Sequence, residues 1–296
     1  MITARNITKK FDGFTALDDV SFAFEDGEIF GIIGHNGAGK TTLLKIVSGL
    51  IAPTSGELYI NDIDVVKDRM ALKENLGYLP EESRLYETMT AESYLGFFGE
   101  IYGLSPKEIR VRSDQLFAAL SLETGGRKIG EFSKGMKRKT AIARSLIHDP
   151  KFLVYDEATS GLDPMTSRFI ADYLRTLKKE GKTIVLSAHN LYQVEAICDK
   201  VMILRRGKMV AFGNMNQLRE QFGSITYSIF FSIGDPGRLL GLAKSYHQEE
   251  GLWVSEAQDI TDLNESSILI NEAGGKVAKI ESRYPSLEEM LVKIGK

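Results

Sequence analysis

Eight consecutive residues constrain this chain more than any others: Gly34-His-Asn-Gly-Ala-Gly-Lys-Thr41. They follow a short apolar run, Glu28-Ile-Phe-Gly-Ile-Ile-Gly34, long enough for one buried strand. After them, Thr41-Thr-Leu-Leu-Lys-Ile-Val47 places apolar residues at helical spacing. Gly34, Gly39, Lys40 and Thr41 fill the pattern G-x-x-x-x-G-K-[ST], with Gly37 as an extra glycine. Glycines let the backbone curl until successive N–H groups point at anionic oxygens, and the helix start adds its positive dipole end. A plain glycine turn ahead of a helix is the competing reading, and the flanking strand and helix argue against it. The loop predicts an α/β fold that binds a nucleotide's phosphates. Backbone from His35, Asn36, Gly37, Ala38 and Gly39 surrounds them, with Thr42 just beyond. Lys40 then reaches the β- and γ-phosphates, and the Thr41 hydroxyl ligates Mg²⁺.

Two further apolar runs end in polar groups suited to the same site. Phe152-Leu-Val-Tyr155 reads as a buried strand delivering Asp156 and Glu157 at its carboxyl end, the edge where parallel sheets bind ligands. Asp156 suits the metal, and Glu157 suits accepting a proton from attacking water or orienting that water. Alone, such a run is common; after the phosphate loop it carries weight. Thr183-Ile-Val-Leu186 is another strand candidate, leading to Ser187-Ala-His189.

Between these runs stands Phe132-Ser-Lys-Gly-Met136, ahead of a stretch with helical spacing. It resembles the signature loop of ABC ATPases, and the order of the elements agrees with that family. The resemblance implies that Ser133 and Gly135, at a helix N-terminus, grip the γ-phosphate bound by a second subunit. Lys134 and Met136 stand where the commonest family pattern has Gly and Gln, as in one exporter branch. Asp163 in Ser160-Gly-Leu-Asp163 matches the loop at the dimer seam, and His189 matches the switch His that hydrogen-bonds the γ-phosphate. A neutral imidazole there donates one N–H without adding charge. Phe11 occupies the position of an adenine-stacking ring; Phe14 is a rival, and either ring could instead plug a small core. Glu81, after Pro80, stands where most members carry a Gln that contacts Mg²⁺ and water. A carboxylate still ligates a hard cation but donates no hydrogen bond, so Glu81 is expected to keep the metal contact while slowing hydrolysis until a partner is engaged. Lys137-Arg138-Lys139 is read as a solvated basic turn rather than a nucleic-acid patch.

The resemblance implies a P-loop ABC module: a parallel-sheet core, an antiparallel β subdomain, and a helical subdomain at about 85–150, all within residues 1–223. A small α+β accessory domain is expected over 224–296, with strands near 225–231, 252–255 and 276–280. Helices are expected near 261–273 and 286–293, the latter opened by a capping-box pattern, Ser286…Glu289. This tail holds seven basic against eleven acidic side chains, which disfavours nucleic acid. With 296 residues and a net charge of −3, the chain has no general pull towards nucleic acid either. One cysteine, Cys198, leaves no internal disulfide and suits a reducing cytoplasm. No run approaches a membrane span, and the start lacks the regions of a signal peptide. One phosphate loop and one signature mean that two complete sites need two chains, a homodimer or a pair of related subunits. The expected protein is an ATP- and Mg²⁺-dependent ATPase on the cytoplasmic face of a membrane, powering a separate multi-span permease in export. A non-transport ABC ATPase is the alternative.

Overall fold

The computed structural model describes residues 1–223, 225–235, 237 and 246–295. Ser224 and Lys296, the ends of the expected tail domain, lie outside the described residues. The chain divides into two compact units, Met1–Met215 and Asn216–Lys296.

In the first unit, β1 (Ile2–Phe11) and β2 (Phe14–Phe24) form a hairpin closed by the pair Phe11–Phe14. β3 (Ile29–Ile33) is buried along its whole length and runs through the glycine loop into α1 (Lys40–Val47). β4 (Ser55–Ile60) and β5 (Ile63–Asp64) extend the hairpin into a sheet of order β2-β1-β4-β5. After α2 (Arg69–Glu74) comes β6 (Leu76–Leu79), then three helices: α3 (Ala91–Ile101), α4 (Pro106–Ala119) and α5 (Lys134–Leu146). Side-chain caps from Thr90, Ser105 and Ser133 start these three helices; Ser105 forms a full capping box with Glu108, and Pro106 fills the first helical position. The chain then alternates through β7 (Phe152–Asp156), α6 (Pro164–Lys179), β8 (Thr183–Ser187), α7 (Leu191–Ile197), β9 (Lys200–Arg205) and β10 (Lys208–Gly213).

The second sheet has the order β10-β9-β3-β8-β7-β6, parallel from β9 to β6, with β10 antiparallel at its edge. Every residue of β3, β7 and β8 is buried, as expected of parallel strands covered on both faces. A continuous core joins the two sheets around α1, with the rings of Phe22 and Phe24 5.4 and 4.7 Å from that of Phe30. The parallel core, the antiparallel sheet and the helical segment expected from the motifs are therefore all present.

The second unit carries α8 (Met215–Phe222), which begins at the last residue of the first. β11 (Thr226–Ser232), β12 (Tyr246–Glu249) and β13 (Leu252–Ala257) follow, then α9 (Ile260–Glu272), β14 (Lys276–Arg283) and α10 (Leu287–Gly295). Its sheet is antiparallel, in the order β12-β13-β11-β14. Its own core gathers Ile229, Phe231, Ala257 and Ile270, with Trp253 and Val277 packed against them. The Ser286 and Glu289 side chains exchange the expected capping-box hydrogen bonds with each other's backbone N–H groups. β12 is not among the expected strands: Tyr-His-Gln-Glu has no apolar alternation, and among the described residues it pairs as the edge partner of β13.

Candidate functional site

Four parallel strands end along one edge of the second sheet, and each feeds a segment marked in the sequence. β3 leads into Gly34–Gly39, β7 into Glu157, β8 into Ala188 and His189, and β6 into Pro80 and Glu81. The glycines are required by geometry at two positions. Gly34 and Gly39 have φ of 155° and 106°, and a Cβ on either would approach a backbone oxygen, Leu204 O at 2.3 Å or Ala16 O at 2.7 Å. Gly39 caps α1 in the left-handed conformation, so the loop meets the helix start with its N–H groups unobstructed by a side chain.

Lys40 is only 7% exposed, and its ammonium donates to the carbonyls of Gly34 (2.7 Å) and His35 (3.4 Å). Burial lowers its pKa, and the charges of Glu157, Asp156 and Glu81 act in the opposite sense. Asp156, 2% exposed, accepts a hydrogen bond from the Ser187 hydroxyl through Oδ1. Glu157, at 5% exposure, adopts a positive φ of 51°. Its N–H donates to Ser187 O (3.2 Å) and Ser187 Oγ (3.1 Å), which holds the turn in that conformation.

The Glu157 carboxylate faces His189. Oε2 accepts from the His189 main-chain N–H at 3.2 Å, and Oε1 lies 3.2 Å from the ring Nε2. That second contact is close but off the hydrogen-bond direction, so Oε1 is buried with no hydrogen-bond partner. Burial raises the pKa of Glu157, with His189 and then Lys40 pulling it down. Lys40, Asp156, Glu157 and His189 thus converge through mutual contacts or fields, and Glu81, exposed beside them, is felt by Lys40.

The residues read for an ATP site fit a magnesium nucleotide. Among the described residues no group of three or more His, Cys, Asp or Glu forms an all-protein metal cage. Mg²⁺ is commonly held by one or two carboxylates, with phosphate oxygens and waters completing its shell. Asp156, Thr41 and Glu81 supply oxygens of the right hardness, and the unpartnered Oε1 of Glu157 leaves an acceptor for water.

Other predicted residues lie outside this cluster. Ser133 caps α5 by accepting from Met136 N–H at 3.2 Å, and a Cβ on Gly135 would lie 3.2 Å from Thr166 Cγ2. Among the described residues neither bonds to Lys40, Asp156, Glu157 or His189. Asp163 caps α6, accepting from Thr166 N–H at 2.9 Å, and hydrogen bonding from the Thr166 side chain and then its main chain lowers the pKa of Asp163. Phe11 and Phe14 are 49% and 60% exposed, so neither plugs a core; the Lys9 ammonium sits 5.0 Å from the Phe11 ring centre.

The basic run is not a solvated turn. Lys137–Lys139 lie inside α5, and Arg138 is 6% exposed. Lys137 pairs with Glu87 at 2.7 Å, and Lys139 lies over the Phe169 ring. The spacing Arg138, Ala141, Ile142, Ser145 marks one helix face, and that face is buried. Ser187, which braces both Asp156 and Glu157, was also missed as a site residue; its place as the last residue of an apolar strand was the available signal.

A glycine loop between a buried strand and a helix, with two buried carboxylates on the neighbouring parallel strand, defines a P-loop nucleotide hydrolase. The family model described as ABC transporter matches residues 17–160. The ABC transporter ATP-binding protein NatA of Bacillus subtilis (strain 168) is 39% identical over 226 residues, 74% of this chain and 92% of that protein. Nod factor export ATP-binding protein I of Rhizobium sp. (strain N33) is 30% identical over 295 residues, covering 99% of this chain and 96% of its own length. Among solved structures, the ATP-binding cassette MJ0796, a dimer in a post-hydrolysis state bound to ADP and Pi, superposes with a TM-score of 0.67. It is 27% identical and covers 73% of this chain and 99% of its own. The chain belongs to the ABC transporter family and is an ATP-binding, ATP-hydrolysing subunit of it.

Proposed function

We propose that two copies of this chain close head to tail on two molecules of magnesium ATP and that hydrolysis reopens them, driving a separate multi-span permease in export. What supports the two-chain reading is that Ser133 and Gly135 bond to none of the four clustered residues of their own chain. Each site then draws its signature helix from the other copy. Lys40 leaves the Gly34 and His35 carbonyls for the phosphates, and the loop N–H groups and the partner's α5 offset charge on the transferred phosphoryl group. Mg²⁺, when bound, offsets phosphate charge, and Thr41, Asp156 and Glu81 would hold it. Glu157 takes the proton of the attacking water on Oε1, while His189 holds the carboxylate through its main-chain N–H. Phe11 stacks on adenine, an affinity that is indifferent to the base's hydrogen-bonding edge. The exporter-like Lys134, Met136 and Glu81, with a full-length relative named for export, favour export over import. Among the described residues no helix is long and apolar enough to cross a membrane, which supports a role at the cytoplasmic face beside a permease in another chain. The tail unit is assigned to stabilising or regulating the dimer.

Affinity capture of the tagged chain from gently solubilised native membranes tests this reading. A multi-span protein in near-equal amount supports it. Ribosomal or DNA-associated proteins, or no membrane partner, would move the chain to the non-transport ATPases. With that partner in hand, the ATPase rate with and without it is compared for Glu81→Gln. The substitution should raise the rate without partner more than the rate with it, and an unchanged ratio sinks the proposed role of Glu81.

A further inference from the structure

Arg138 belongs to none of the marked motif positions, yet its guanidinium is the most heavily bonded side chain near the site. Nε donates to Ala158 O at 2.8 Å. One terminal nitrogen, Nη1, donates to Pro80 O (2.9 Å), Glu81 O (3.0 Å) and Ser83 Oγ (3.1 Å). The other, Nη2, donates to Asp156 O at 3.3 Å and to Glu157 O. Three segments distant in sequence are therefore pinned by one planar group: the loop after β6, the end of β7, and the helix that opens with Ser133.

A buried guanidinium with no carboxylate in direct contact is costly unless its donors are satisfied. Five of these six partners are backbone carbonyls, so what Arg138 specifies is the relative position of main chains. Its fixed fork matches that task, and a lysine ammonium, a single point of charge, cannot span the same acceptors. α5 is also a short rigid rod: Ser133 at its tip and Arg138 stand five residues apart, under two turns. A shift at the tip must move the guanidinium, and with it the carbonyls of Glu81, Asp156 and Glu157.

We propose that Arg138 is a positioning residue that links the two ATP sites, relaying engagement of α5 by the other copy's nucleotide to the Glu157 and Glu81 backbones of its own chain. This rests on the two-chain clamp proposed above. ATP bound in one site sets the tip of α5 of the opposite chain. Through Arg138 that tip sets the turn carrying the water-activating carboxylate, so each site fires in register only when the other is filled.

The test is the ATP dependence of hydrolysis by the full chain, with Arg138→Lys and Ser83→Ala compared with the parent. Two coupled sites give the parent a Hill coefficient between about 1 and 2. Arg138→Lys should bring it to about 1 and lower kcat about tenfold or more, with the half-saturating ATP concentration within about twofold. Ser83→Ala, which removes one acceptor on the β6 loop and none in the core, should lower the coefficient part of the way. In a Glu157→Gln background, Arg138→Lys should still dimerise with ATP, since the relay is separate from the clamp. An unchanged Hill coefficient in Arg138→Lys overturns the inference, as does a parallel fall of kcat, ATP affinity and melting temperature, the mark of a purely structural role. Should Arg138→Lys not fold, an unchanged coefficient in Ser83→Ala overturns it. Glu157→Gln with Arg138 intact remaining monomeric in ATP would remove the clamp itself, a result distinct from loss of coupling alone.

Discussion

Burial raises the pKa of Glu157, and the nearby His189 and Lys40 only partly reverse it. As the proposed base, Glu157 protonates earlier on acidification than an ordinary glutamate, so the acid limb of the ATPase pH profile should lie above the usual carboxylate range. The folded chain holds that proton more tightly than the unfolded one, so the associated stability is present at low pH and lost as pH rises through the raised pKa. Glu157→Gln has no charge to bury. It should melt at a higher temperature than the parent at neutral pH, lose about 10²-fold or more of its activity, and accumulate as an ATP-bound dimer on gel filtration. His148 has the opposite sign. Burial pushes its pKa down from 6.5 to about 4; Nε2–H donates to Leu76 O at 3.1 Å, the ring stacks 3.7 Å from Tyr102, and Nδ1 is buried without a partner. The unfolded chain binds the proton first, so stability tied to His148 is intact above about 6.5 and is lost as pH falls towards about 4. His148→Phe should flatten the fall of melting temperature across that window; an identical slope in both proteins would contradict this. Asp156 and Glu157 were legible because they close an apolar run, Lys40 because it fills the phosphate-loop pattern, and His189 through the family resemblance, but the orphaned Oε1 and the bracing by Ser187 appear only once β7 and β8 lie side by side.

At the scale of elements, Asp163 carries two readings that one pair of substitutions separates. Its carboxylate caps α6, and asparagine caps as well as aspartate while alanine does not. Asp163→Ala should lower the melting temperature, and Asp163→Asn should leave it near the parent value. If the asparagine variant nevertheless loses ATPase activity, the charge acts at the dimer seam; if it keeps full activity, the cap is the whole role. α5 shows why three adjacent basic residues mislead. Successive side chains on a helix point about 100° apart, so Lys137 and Lys139 find surface partners while Arg138 turns inward. A reading by charge alone sees a cluster, whereas a reading by helical period sees one buried position between two half-buried ones. The β1–β2 hairpin makes the same point in reverse. Phe11 and Phe14 are apolar enough for a core, but they face each other across the turn of the hairpin, where no layer covers them.

On the scale of the whole molecule, each unit has its own apolar core, and the single tryptophan, Trp253, belongs to the second. Tryptophan emission should therefore follow unfolding of residues 216–296 alone, while far-ultraviolet circular dichroism follows both units. Two transitions that do not coincide are expected in a urea titration; a single shared transition would show that the units unfold together. What the sequence determined by itself is the chemistry that is local along the chain. A phosphate loop uses consecutive backbone N–H groups, a buried parallel strand announces itself as an apolar run, and a cap is a pattern three residues long. Tertiary structure decided everything that depends on strand order: β8 lying between β3 and β7, Ser187 bracing two carboxylates, Lys40 held against its own loop, and Arg138 tying α5 to two strand ends. Those contacts join residues far apart in the chain, and only packing of the parallel sheet and its helices brings them within hydrogen-bond distance.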